Sequence, residues 1–146
     1  MPESYAIKLI KVGTDQYQAE LQLRNEVLRK PLGMSIFDEL TDESNEHHLG
    51  CFCGDELVGV LILTGISEVE VKMRQVAVAE GWRGKGIGTH LVKYAEAYAQ
   101  SLGYRRIRLH SRKTAVGFYA KLGYRKIGNE FTEVGLPHYE MVKELT

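Results

Sequence analysis

An apolar strand pattern ending at Val76-Ala77-Val78, a loop of glycine and basic residues, and the most regular helix pattern in the chain follow one another directly. Ile87, Leu91, Val92, Ala95, Tyr98, Ala99 and Leu102 recur at the spacing of one helical face, and Gly103 stands where a helix commonly ends in a left-handed residue. Arg105 to His110 then alternates as a short strand. Residues 70–110 therefore predict strand, helix, strand, a right-handed parallel βαβ unit. Two parallel strands cannot be joined by a tight turn, so the helix must cross over and cover one face of the sheet.

The remaining patterns predict an antiparallel sheet built onto that unit. Tyr5 to Lys11 alternates as a first strand, and Thr14 offers an N-cap for a helix running toward Arg29. The acidic segment from Lys30 to Glu46 predicts irregular chain with a short second helix. His48 to Cys53, a turn at Gly54-Asp55, Leu57 to Ile66 and Glu68 to Val78 read as a meander. Thr114 to Leu122 predicts a short helix ended by Gly123, followed by closing strands at about Tyr124 to Gly128 and His138 to Glu144. The expected fold class is α+β (mixed α/β): a mostly antiparallel sheet of about six to seven strands with one parallel βαβ unit, flanked by about four helices. Only three prolines occur and no low-complexity stretch interrupts the pattern, so residues 1–146 predict a single domain.

Charge narrows the function classes. Lys plus Arg number 19 and Asp plus Glu number 19, so the bulk attraction that a nucleic-acid or anionic-membrane binder needs is absent. Cys51 and Cys53 are too few for a disulfide framework, which suits a reducing compartment. The longest apolar runs, such as Leu57 to Leu63, fall far short of the roughly 20 residues of a membrane span, and the N-terminus lacks a signal-peptide pattern. These features predict a cytoplasmic protein with no nucleic-acid or membrane partner. His90 and His110 lack metal-ligand spacing, and no metal is expected.

Any anion site must then be local, and the loop Arg83-Gly84-Lys85-Gly86-Ile87-Gly88-Thr89 provides one. Free N–H groups and the positive end of the helix dipole favour phosphate, and glycines let it approach the backbone. The spacing fits neither the dinucleotide fingerprint nor the P-loop, since Lys85 is followed by Gly86. It does fit Arg-x-x-Gly-x-Gly at Arg83, Gly86 and Gly88, which resembles the acyl-CoA-binding motif of the GCN5-related N-acetyltransferase (GNAT) superfamily. Ala115-Val116-Gly117-Phe118-Tyr119-Ala120-Lys121-Leu122-Gly123-Tyr124 is similar to a second motif of that family. Phe131 to Met141 looks like the C-terminal signature of a small bacterial acetyltransferase subgroup.

The resemblance implies an acetyl-CoA-dependent N-acetyltransferase. In that reading the pantetheine arm pairs with the backbone of Val76, Ala77 and Val78, and the pyrophosphate rests on Arg83, Gly84, Lys85, Gly86, Ile87, Gly88 and Thr89. Tyr119 is the general acid toward the CoA thiolate. The candidates for a base are Glu70, then His138, then Glu133, with His47 and His48 behind them, and a chain of waters is an equal alternative. Arg112 departs from the family pattern, because many relatives carry an asparagine there that contacts the cofactor. Trp82 is expected to anchor the loop. Asp38, Glu39, Asp42, Glu43 and Glu46 form an acidic rim that hints at a cationic acceptor, a small-molecule or peptide amine. A homodimer is left open. The alternative reading is a catalytically silent acyl-CoA-binding sensor module.

Overall fold

In the computed structural model, which describes residues 5–146, the hydrophobic run Val58 to Leu63 forms the centre of the molecule. All of these residues are buried, and Val58, Val60, Leu61, Ile62 and Leu63 are 0% exposed, as expected of a strand covered on both faces rather than one. Around it lie seven strands in the order β1-β2-β3-β4-β5-β7-β6. They are β1 (Tyr5–Ile10), β2 (His47–Cys53), β3 (Glu56–Gly65), β4 (Glu70–Val78), β5 (Arg106–Arg112), β6 (Arg125–Glu133) and β7 (Leu136–Glu144). Only β4 and β5 pair in parallel.

Helix α1 (Asp15–Arg24) starts at Thr14, whose hydroxyl accepts the Tyr17 N–H, and continues into a π-helical turn at Asn25–Arg29. Its Leu21 and Leu23 pack with Ile10, Phe52, Val60 and Ala77 in two small clusters. Helix α2 (Ile87–Ser101) buries Ile87, Leu91, Val92, Ala95 and Ala99 in the main core, against Leu49, Leu61, Leu63, Val71, Met73, Ile107 and Leu109. Helix α3 (Val116–Lys121) is short and adds Tyr119 to the same core. Three α-helices are thus present among the described residues. The fourth expected helix, within Lys30 to Glu46, is replaced by two single 3-10 turns, Lys30–Leu32 and Ile36–Asp38.

That acidic segment is held by its own charges. Glu43 is 3% exposed and receives both Nη groups of Arg24, at 2.7 and 2.8 Å. Arg24 also donates to Glu20 at 2.9 Å, and the Tyr17 hydroxyl donates to Glu43 at 2.8 Å. His48 completes the cluster: Nδ1 lies 2.8 Å from Glu20 Oε2 and Nε2 lies 2.9 Å from the Glu43 carbonyl. Both partners are acceptors, so both ring nitrogens donate and the imidazole is charged. Burial opposes that charge, but the hydrogen bonds to Glu20 and Glu43 outweigh it and raise the His48 pKa. Two cations then balance two carboxylates. Glu20, Glu43 and His48 stand as close as metal ligands would, and the Arg24 guanidinium, bonded to both carboxylates, supplies the positive charge there.

Candidate active site

The site begins where β4 and β5 part. Their parallel pairing runs from Glu70↔Arg106 to Met73↔Leu109 and stops. Beyond it β4 stays with β3, through Ile62↔Arg74 and Val60↔Ala77, whereas β5 stays with β7 as far as Arg112↔His138. A bulge at the split gives Gln75 a φ of 56°, and Arg24 Nε donates to its side-chain oxygen at 3.3 Å. The edge of β4 that faces the gap, from Gln75 to Val78, is therefore left without a strand partner.

Two cavities occupy the gap, and Val76, Ala115 and Tyr119 line both. The larger, of about 580 Å³, also touches Val27, Ala77, Val78, Trp82, Arg83, Gly84, Gly86, Ile87, Gly88, Thr89 and Phe118. All but one of the residues expected to hold the cofactor are thus brought together; Lys85 does not line the cavity. No side chain caps the N-terminus of α2, which leaves its first-turn N–H groups free to receive an anion. Gly84 (φ 75°) and Gly86 (φ 83°) hold left-handed conformations with open space where a Cβ would stand. At Gly88 a Cβ would come within 3.3 Å of Phe118. Trp82 acts as the expected anchor, donating from Nε1 to Glu56 at 3.2 Å and meeting the Tyr5 ring edge-on.

Tyr119 sits at the junction, 7% exposed, between the rings of Phe118 and Tyr124. Burial pushes its pKa up to about 12, so its phenol stays protonated and can donate. The smaller cavity, of about 250 Å³, reaches past it to His110, Glu133 and His138. His138 Nδ1 donates to the Leu136 carbonyl at 2.9 Å, which directs the Nε2 lone pair elsewhere, and Glu133 Oε2 lies 3.7 Å from that Nε2. Glu133 accepts from His110 Nδ1 at 2.8 Å. Although burial pushes the Glu133 carboxyl up, this hydrogen bond prevails and holds it below the usual range.

Glu70 does not join them. It lies at the opposite end of β4, outside both cavities, and accepts from Arg108 and Arg106; the Arg108 hydrogen bond holds its carboxyl below the usual range. His47 and His48 also lie outside both cavities, in contact with Tyr98 and the buried ion cluster. The acidic rim is a second correction. Glu43 binds Arg24, Glu46 binds Arg74, Glu39 binds Arg29 and Asp42 accepts from Ser44, and none of the five acids lines either cavity. Ion pairing draws Glu43 and Glu46 inward, while Asp38, Glu39 and Asp42 stay exposed. His110 was the residue that sequence reasoning missed. Its alternation with Arg108 and Arg112 on β5 marks a common face, but only strand pairing brings that face to Glu133.

The model of the acetyltransferase (GNAT) domain family matches residues 17–145. The uncharacterized protein YyaT of Bacillus subtilis (strain 168) is 29% identical, over 96% of each chain. The structure of a candidate N-acetyltransferase from Lactobacillus plantarum superimposes with a TM-score of 0.86 at 26% identity, covering 97% of this chain and 99% of that one. A GNAT family acetyltransferase from Elizabethkingia anophelis with acetyl-CoA bound has a TM-score of 0.75 at 19% identity, covering 99% and 100%.

Proposed function

Because the chain belongs to the acetyltransferase (GNAT) domain family, and so is an acyl-CoA-dependent acetyltransferase, we propose that it carries the acetyl group of acetyl-CoA to a primary amine by direct attack on the thioester. The observation that carries this reading is the meeting of three features at one point: the unpaired edge of β4, the uncapped start of α2 and the buried phenol of Tyr119. Acetyl-CoA supplies an activated acetyl group and a thiolate leaving group. The β4 edge from Val76 to Val78 receives its amide-bearing arm as an added strand, and the amides from Arg83 to Thr89 receive its pyrophosphate. The Val76 N–H donates to the thioester oxygen as negative charge builds there.

An amine must lose a proton to form an amide. His138 Nε2 accepts that proton, with Glu133 beside it to stabilise the imidazolium. As the carbon–sulfur bond breaks, the Tyr119 hydroxyl gives its proton to the sulfur and is reprotonated by solvent, so the net change is amine plus thioester to amide plus thiol.

A thiol reagent that reads free CoA across a panel of amines tests this reading. We expect turnover with at least one amine, and a drop in kcat of about 100-fold for Tyr119→Phe with the Kd of acetyl-CoA unchanged. Acetyl-CoA binding with no turnover across the panel would instead support the sensor reading, and an unchanged rate for Tyr119→Phe would remove it from the reaction.

A further inference from the structure

The smaller cavity holds three guanidinium groups and one carboxylate. Arg29 is paired with Glu39 at 2.9 Å and Arg74 with Glu46 at 2.7 Å, while Glu133, the one carboxylate, is taken by His110. Arg112 differs from its neighbours. Among the described residues it has no carboxylate partner, and its side chain is held by a single hydrogen bond, from Nη2 to the Leu28 carbonyl at 3.1 Å. Leu28 is presented there by the π-helical turn, and its carbonyl accepts from Arg29 Nη1 as well. Arg112 is only partly exposed, and Arg29 stands near enough to repel its charge.

A guanidinium held in a half-buried cavity without a counter-charge is a costly arrangement, and an incoming anion would relieve it. Arg112 takes no part in lining the larger cavity, so the anion in question is not the cofactor's pyrophosphate at the start of α2. The cavity opens instead on Tyr119 and His138, where the amine is expected. We propose, resting on the transfer reaction above, that the acceptor is an amine that also carries a carboxylate, and that Arg112 binds this carboxylate. A single unpaired positive charge matches a carboxylate better than a phosphate dianion. The acceptor thus carries an anionic group that the acidic segment did not suggest.

Calorimetry on the CoA-loaded protein reads the anion site without turnover. The probes are ω-acetamido carboxylic acids of increasing chain length and the matching carboxamides, which are product analogues differing only in charge. The best acid is expected to bind about 10- to 100-fold more tightly than its carboxamide. Arg112→Gln is expected to erase that preference and leave CoA affinity unchanged, whereas Arg112→Lys, which keeps the charge, retains part of it. Thermal unfolding of each variant establishes that it is folded.

Equal binding of acids and carboxamides at every length overturns the proposal, as does an acid preference that survives in Arg112→Gln. Tighter binding of ω-acetamido alkyl phosphates overturns the choice of carboxylate, and weakened CoA binding in Arg112→Gln would return that residue to the cofactor. The free amino acids are run in parallel in the thiol assay. Acid preference without turnover by any amine would sink the transfer reaction and leave the anion site standing.

Discussion

Val134 has a φ of 48°, in the turn that joins β6 to β7, and a β-branched side chain in that region is strained. With Gly135 at 77° it makes a two-residue hairpin turn of the kind that favours asparagine followed by glycine. Val134→Asn is therefore expected to stabilise the fold by about 1 kcal/mol, read as a higher midpoint in urea unfolding. The turn matters because Glu133 and His138 flank it, and Val134 itself lines the smaller cavity. At this scale the sequence was informative about residue type but not direction. Tyr119 and His138 were legible as candidates from the motifs that contain them. Glu70 was misread because only the pairing of β4 with β5 reveals that Arg106 and Arg108 take its carboxylate.

Among the elements, α2 depends most on its start. A left-handed residue at Gly86 and the absence of a side-chain cap leave the first-turn amides open to the larger cavity. Gly86→Ala adds strain of about 1–2 kcal/mol at that residue and turns those amides aside. The expected result is CoA binding weakened at least about tenfold, measured by titration, with little change in helix content by circular dichroism. The βαβ unit around this helix was legible because each of its parts has a strong local signal: alternation in β5, a single apolar face on α2, and glycine at both ends. The acidic segment after α1 had no such periodicity. Its path is set by Arg24, Arg29 and Arg74, which lie in other elements.

For the whole molecule, the ion cluster of Glu20, Arg24, Glu43 and His48 ties α1, the acidic segment and β2 together, and through Gln75 it touches the bulge that opens the site. Removing one member leaves another buried and uncompensated, so Glu43→Gln is expected to cost about 3–5 kcal/mol in urea unfolding at neutral pH. The cluster also sets a pH dependence. In Glu43, burial raises the pKa, but the hydrogen bonds from Arg24 and Tyr17 prevail and lower it, so its contribution is present above the unfolded carboxylate value and is lost as pH falls through the folded one. The His48 pKa is raised, so its contribution is complete below about pH 6.5, the unfolded value, and is lost as pH rises through the folded one. Unfolding free energy measured from acid to alkaline pH should rise and then fall, and His48→Gln should remove the alkaline decline.

Outside the acidic segment, the sequence by itself determined the order of strands and helices, the parallel unit and the glycine cradle, because backbone propensity, hydrophobic period and turn chemistry are local properties. It also contained the balance of charges, but not their pairing. Only the tertiary structure decided which carboxylates are neutralised internally, that the parting of β4 and β5 leaves a strand edge open, and that Arg112 lines the smaller cavity with no carboxylate partner among the described residues. Those outcomes depend on residues tens of positions apart meeting across a sheet, and electrostatic energy depends on that distance and burial rather than on position along the chain.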